Sequence, residues 1–133
     1  MQGNDTDFIQ LAAKVKHYAF YSGPECDHGC AEFPGVSRLN FNAVVDAQDA
    51  AQSYLPMFKW AARPVAEGGG ATASAMSSFS HVNGISMAAN MKYLTILREQ
   101  LGFGEGLIVT DWGSIGLYEG GDDLVPNQPA CNG

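Results

Sequence analysis

Asp111 is followed by Trp112 and the Gly113-Ser114 pair, and this short stretch carries the ingredients of a carbohydrate site. The carboxylate can act as a nucleophile or accept hydrogen bonds from sugar hydroxyls. The indole can cover the apolar face of a pyranose ring. Lys16 beside His17, with Glu25 further on, forms a second polar group, and a lysine near Asp111 would favour its charged form. Ser77, Ser78 and Phe79 make a third. The same residues have plainer readings. Asp111 suits a side chain that accepts hydrogen bonds from the following turn. Lys16 and His17 suit a solvated lysine next to a half-buried histidine, and Trp112 suits a core position. His81 and Asn83 read as a surface turn, and Met76, Met87 and Met91 as fillers of core gaps.

These residues need strands and helices to bring them together. Three apolar, β-rich runs stand out: Val15 to Tyr21, Thr72 to Phe79, and Leu107 to Val109 ending at Thr110 and Asp111. Near-continuous apolar character suits strands buried on both faces of a parallel sheet. Two helical patterns lie between them. The first begins at Asp46, a good N-cap, and places Ala47, Ala50, Ala51, Tyr54, Phe58 and Ala61 on one face, with Pro56 as a kink or re-start. The second runs from Asn90 with a stripe of Met91, Leu94, Leu97 and Leu101, and Gly102 stands where a left-handed C′ residue belongs. The order strand, helix, strand, helix, strand predicts βαβ crossovers and a parallel sheet, open or part of a barrel. Ligands of such folds gather at the carboxyl ends of the strands, where the three groups of candidates lie.

Composition narrows the choice of partner. The 133 residues are 46% apolar and 16% charged, the make-up of a globular domain. A complete (β/α)8 barrel takes about 250 residues, so a barrel here is partial. Fourteen acidic residues against seven basic ones give a net charge of −7, a field that repels phosphate backbones and argues against a nucleic-acid partner. No apolar run approaches the roughly 20 residues of a membrane span. Met1 to Phe8 carries no basic-then-apolar pattern of a signal peptide, which leaves localisation open. Cys26, Cys30 and Cys131 are too few for a disulfide scaffold. Cys26 and Cys30 with His28 between them fall short of the four ligands of a structural zinc site. Gly68 to Gly70 reads as a loop.

Longer blocks carry a resemblance. Lys16-His17-Tyr18-Ala19, Ser22-Gly23-Pro24-Glu25, Arg38-Leu39-Asn40-Phe41-Asn42-Ala43 and Tyr54-Leu55-Pro56-Met57-Phe58 come first. They are followed by Ala75-Met76-Ser77-Ser78-Phe79 with Val82-Asn83-Gly84, Leu97-Arg98 with Leu101-Gly102-Phe103, and Gly106 through Ile115 around Thr110-Asp111-Trp112. In that order they resemble glycoside hydrolase family 3, the β-glucosidase and β-xylosidase family. The family-like region runs from residue 8 to about 115, with 116–133 a divergent tail.

The resemblance implies a piece of the family's catalytic barrel, an incomplete (β/α)8 fold. It implies an exo-acting retaining glycosidase without a cofactor, acting on a β-linked oligosaccharide or an aryl or alkyl glycoside. Asp111 matches the family's nucleophile, Lys16 and His17 the pair that holds hydroxyls of the sugar being cleaved, and Arg38 an arginine placed after the Gly-Pro-Glu segment. Glu25 and Phe79 match positions lining the site, and Trp112 the aromatic next to the nucleophile. A retaining enzyme also needs an acid about 5 to 5.5 Å from the nucleophile. In the β-glucosidase and β-xylosidase branch that glutamate comes from a following domain, and in the N-acetylglucosaminidase branch from an Asp-His dyad to which Asp27 and His28 are only loosely comparable. Gly121 to Pro126 is similar to a segment that relatives place one helix later. The expectation is therefore a partial barrel lacking several strands and the acid, with a catalytically inactive, sugar-binding remnant as the alternative.

Overall fold

The computed structural model describes residues 8, 10–24, 31, 34 and 36–115. In chain order the elements are strand β1 (Lys14–Tyr18), strand β2 (Asn42–Ala43), helix α1 (Ala47–Asp49), helix α2 (Pro56–Ala62), strands β3 (Ser74–Ser77), β4 (His81–Val82) and β5 (Ile85–Ser86), helix α3 (Met91–Thr95) and strand β6 (Leu107–Thr110). A π-helical turn, Ala50–Tyr54, joins α1 to α2, and another, Ile96–Gln100, continues α3.

The main sheet has the order β1-β3-β6 with every pair parallel. Lys14, Ser74 and Leu107 stand in register at one end, and Tyr18, Ser77 and Thr110 at the other. These are the three apolar runs, trimmed at their ends, and the strand–helix alternation has produced the α/β parallel arrangement it predicts. The central strand carries Ser74, Ala75 and Ser77 buried, with Met76 half-buried.

The core lies where the helices meet the sheet. Tyr18 packs edge-on against Phe58 of α2 at 4.8 Å, and Phe20 lies 5.0 Å from Tyr54 and 4.7 Å from Tyr93. The Tyr18 hydroxyl donates to the Tyr93 carbonyl at 2.6 Å, tying β1 to α3 through the interior. Burial pushes the Tyr18 phenol far above its ordinary range, with Tyr93 adding to the effect, and burial raises Tyr93 as well.

The helix signals work as local chemistry dictates. The Asp46 carboxylate accepts from the Asp49 amide at 2.8 Å as an N-cap, and the Asn90 side chain caps α3 through the Tyr93 amide. Pro56 opens α2, where its missing N–H costs nothing, and Gly102 takes the left-handed conformation at φ 93°. The predicted stripes need correcting. Ala47 and Ala51 are exposed, as is Met91 at 70%, and the inward face of the second helix is Tyr93, Leu97 and Leu101. The π-helical turns are the physical reason, because their wider turn rotates the apolar face away from a 3.6-residue spacing. Of the three methionines read as core, only Met87 is fully buried, with Met76 half-buried.

A second, smaller sheet was not expected. β2 pairs parallel with β4, and β4 turns back antiparallel onto β5. Asn83 (φ 51°) and Gly84 (φ 84°) make the turn, the left-handed pair that a two-residue hairpin requires. His81 therefore belongs to a strand and not to the turn. Asn83 bonds both the amide and the carbonyl of Val45, and Asn42 accepts from the Gly84 amide, so the hairpin is stitched to the segment that leads into α1.

Candidate functional site

Asp111 is the first residue past β6, at the carboxyl end of the parallel sheet. Its Oδ1 accepts from the Trp112 amide at 2.8 Å, so the turn-capping role read from its position is real. The turn is closed further by Ser114, whose amide and buried hydroxyl both donate to the Asp111 carbonyl, while Gly113 takes a positive φ of 75°. The second oxygen, Oδ2, is left for another use. It lies 3.3 Å from Nε2 of His17, an ion pair whenever the imidazole is protonated; the two side chains are 14% and 25% exposed. His17 stands one residue before the end of β1, so the contact reaches over the end of β3.

The imidazole is backed by an aromatic ring. Tyr21 stacks on His17 with centroids 4.8 Å apart and planes at 26°. The Tyr21 hydroxyl accepts from Arg38 Nη1 at 3.4 Å, and the Arg38 guanidinium lies 5.6 Å from the centre of the Phe79 ring, a cation–π arrangement. Phe79 and Leu39 are buried together with Tyr21 packed against them. A continuous series of contacts thus runs from Phe79 and Arg38 through Tyr21 and His17 to Asp111. It joins the ends of β1, β3 and β6 with the Ser37-to-Asn40 turn, in which Asn40 Oδ1 accepts from the Ser37 amide at 2.7 Å.

Four of the residues singled out from sequence therefore converge: Asp111, His17, Arg38 and Phe79. Lys16 is exposed on β1, and the ion pair to Asp111 comes from His17. Trp112 is 90% exposed and so takes no part in the core. Glu25 lies outside the described residues, as do Asp27, His28, the three cysteines and the Gly121 to Pro126 segment. Ser78 is committed to structure, its hydroxyl donating to the Ala19 carbonyl at 2.7 Å, while the buried Ser77 hydroxyl has no hydrogen-bond partner.

Tyr21 was read only as the end of a strand. Phe20, buried between Tyr54 and Tyr93, adopts φ 62°, a left-handed conformation uncommon for a bulky residue. It lies two residues past the end of β1, in the segment that brings Tyr21 back over His17. Nothing in the residue types marks that turn; the spacing of four between His17 and Tyr21 is the only trace of it.

Chemically, one carboxylate oxygen is held by the backbone and the other faces a donor, a geometry that steadies an anion aimed along one direction.

No family model matches the chain. It is 36% identical over 118 residues to an exo-1,4-β-xylosidase of Emericella nidulans, covering 86% of this chain and 14% of that protein. It is 35% identical over 114 residues to β-D-xylosidase 3 of Arabidopsis thaliana, covering 85% and 13%. Among solved structures it resembles a family GH3 exo-β-xylosidase in complex with a xylobiose aziridine probe, with a TM-score of 0.65, 27% identity and coverage of 84% and 13%. A β-glucosidase from Listeria innocua in complex with gluconolactone shares the fold, with a TM-score of 0.60, 24% identity and coverage of 86% and 14%. The chain thus spans about one seventh of the length of the proteins it matches.

Proposed function

We propose, from the premise that this chain is part of a glycoside hydrolase family 3 domain, that it forms the nucleophile-bearing wall of a retaining β-glycosidase site, with Asp111 as nucleophile. The observation that carries this reading is the Asp111 carboxylate at the carboxyl end of a parallel sheet, with Oδ2 3.3 Å from His17 Nε2. The three parallel strands are read as one arc of a (β/α)8 barrel. Relatives named as xylosidases favour a β-xyloside or a similar pentoside over other substrates.

In the first step the carboxylate of Asp111 attacks the anomeric carbon. The C–O bond to the leaving group breaks, and the departing oxygen keeps the electron pair and takes a proton from an acid. Water then attacks the same carbon, giving its proton to the conjugate base of that acid, and the bond from the carbon to the Asp111 oxygen breaks, releasing the sugar and restoring both the carboxylate and the acid. His17 and Arg38 hold sugar hydroxyls, with Lys16, Glu25 and Trp112 as further substrate-binding residues. Hydrogen bonds that strengthen as charge develops on the sugar ring are what lower the barrier. The proton donor is assigned to a group outside the described residues.

That division of labour shapes the test. A 2-deoxy-2-fluoro-β-xyloside with a dinitrophenolate leaving group departs without acid assistance, so it can trap the nucleophile even where the acid is missing. Incubation of the full chain is expected to add the mass of one fluoroxylosyl group, mapped by peptide sequencing to Asp111, and Asp111→Asn to abolish the label. A folded but unlabelled chain overturns the catalytic reading and leaves a sugar-binding remnant, for which exposed Trp112 is the favouring observation.

A further inference from the structure

Between the arginine and the histidine stands one aromatic ring that the proposed chemistry does not use. Tyr21 meets the His17 imidazole face to face at 4.8 Å, and its hydroxyl takes a hydrogen bond from Arg38 at 3.4 Å. Its other contacts are the buried Leu39 and Phe79. The turn that puts it there is anchored from below, because Phe20 at φ 62° is fixed between Tyr54 and Tyr93 in the core. A left-handed conformation in a non-glycine residue persists where its surroundings over-determine it, and such positions cluster at functional sites. The χ2 torsion of a histidine is broad, and a flat partner lying against the imidazole narrows it. Here the flat partner is Tyr21, and the orientation it selects is the one that points Nε2 at Asp111.

We infer that Tyr21 is a positioning residue of the site: its ring holds the His17 imidazole in the plane that faces Asp111, and its hydroxyl ties that plane to Arg38. The role rests on the glycosidase reading of Asp111 but makes its own demand on geometry. The ring and the hydroxyl have separable jobs. The ring sets the direction of His17, and the hydroxyl sets the distance between the two side chains that flank the sugar. Misplacement of a reacting or orienting group by about 1 Å can cost on the order of 100-fold in rate, so loss of the ring is the larger injury.

The test uses the full chain and three proteins: wild type, Tyr21→Phe and Tyr21→Leu. The first readout is independent of activity. In wild type and Tyr21→Phe the His17 ring protons are expected to show the upfield ring-current shift and the cross-ring contacts of a stacked pair in NMR spectra, and in Tyr21→Leu to lose both. The second readout is trapping by the 2-fluoroxyloside. Tyr21→Leu is expected to lower the first-order trapping constant by roughly 10- to 100-fold while changing the half-saturating probe concentration by less than about threefold, and Tyr21→Phe to restore most of the trapping constant. A Tyr21→Leu protein that traps at the wild-type rate, or whose His17 protons keep their wild-type shifts, overturns the inference. If wild type is not labelled at all, the glycosidase reading falls, and the NMR comparison alone decides the role of Tyr21. Retention of the core tyrosine signals in each variant separates a local loss from failure to fold.

Discussion

At Asp111 the two carboxylate oxygens have unlike neighbours. Oδ1 is bound to the Trp112 amide, whereas Oδ2 faces His17. The structural and functional readings of this aspartate are thus compatible, one oxygen for each. The neighbouring indole tells a similar story in reverse. Tryptophan is a common core residue, yet Trp112 projects outward at 90% exposure, so it contributes little to folding. Trp112→Ala is expected to shift the urea unfolding free energy by no more than about 0.5 kcal/mol. If the indole stacks on the sugar with the worth of a stacked ring pair, about 0.5–1.5 kcal/mol, xyloside binding measured by calorimetry weakens roughly two- to tenfold. Unchanged binding would remove Trp112 from the site.

Among the elements, α1 shows how much a single cap can matter. It is three residues long before the π-helical turn begins, too short to persist without help, and the Asp46 carboxylate supplies one missing acceptor for its free amides. Asp46→Ala is expected to cost about 1 kcal/mol in denaturant unfolding, with the loss recovered by Asp46→Ser. Asp46, Pro56, Asn90 and Gly102 were all legible in the sequence, because each acts through its own backbone neighbourhood. The three strands of the main sheet were legible from their apolar runs, but the expected burial on both faces holds only for β3, since β1 and β6 are mostly exposed or half-buried. The rest depends on partners distant in sequence. Two-residue strands such as β2 and β5 carry no periodicity, and their pairing comes from Asn42 and Asn83 bonding across the fold. The π-helical turns shift the buried face without any marker residue. Asp111 and His17 were candidates by type and Arg38 only through the family resemblance, whereas the ring that joins His17 to Arg38 was hidden by the positive φ of Phe20.

For the molecule as a whole, the interior is joined by neutral phenols. Tyr18 and Tyr93 both titrate above their ordinary value because burial disfavours the phenolate, so the folded state holds its protons more tightly than the unfolded chain. The stability from this difference is fully present below the unfolded value of about 10 and is lost as pH rises beyond it towards the folded values. Urea unfolding midpoints, set against pH, are expected to owe no slope to these phenols up to about pH 9 and to fall above about pH 10. Tyr18→Phe should flatten part of that fall while lowering the neutral-pH midpoint, since the Tyr93 carbonyl loses its donor. A midpoint that rises above pH 10 would contradict the assignment. The sheet has an asymmetry of a different kind. Among the described residues, β3 is bonded on both sides, while β1 and β6 are each bonded to it on one side. Among these three strands the β3 amides are therefore expected to be the last to exchange their hydrogens with water in a hydrogen-exchange measurement, a slow-exchanging centre beneath Asp111 and His17.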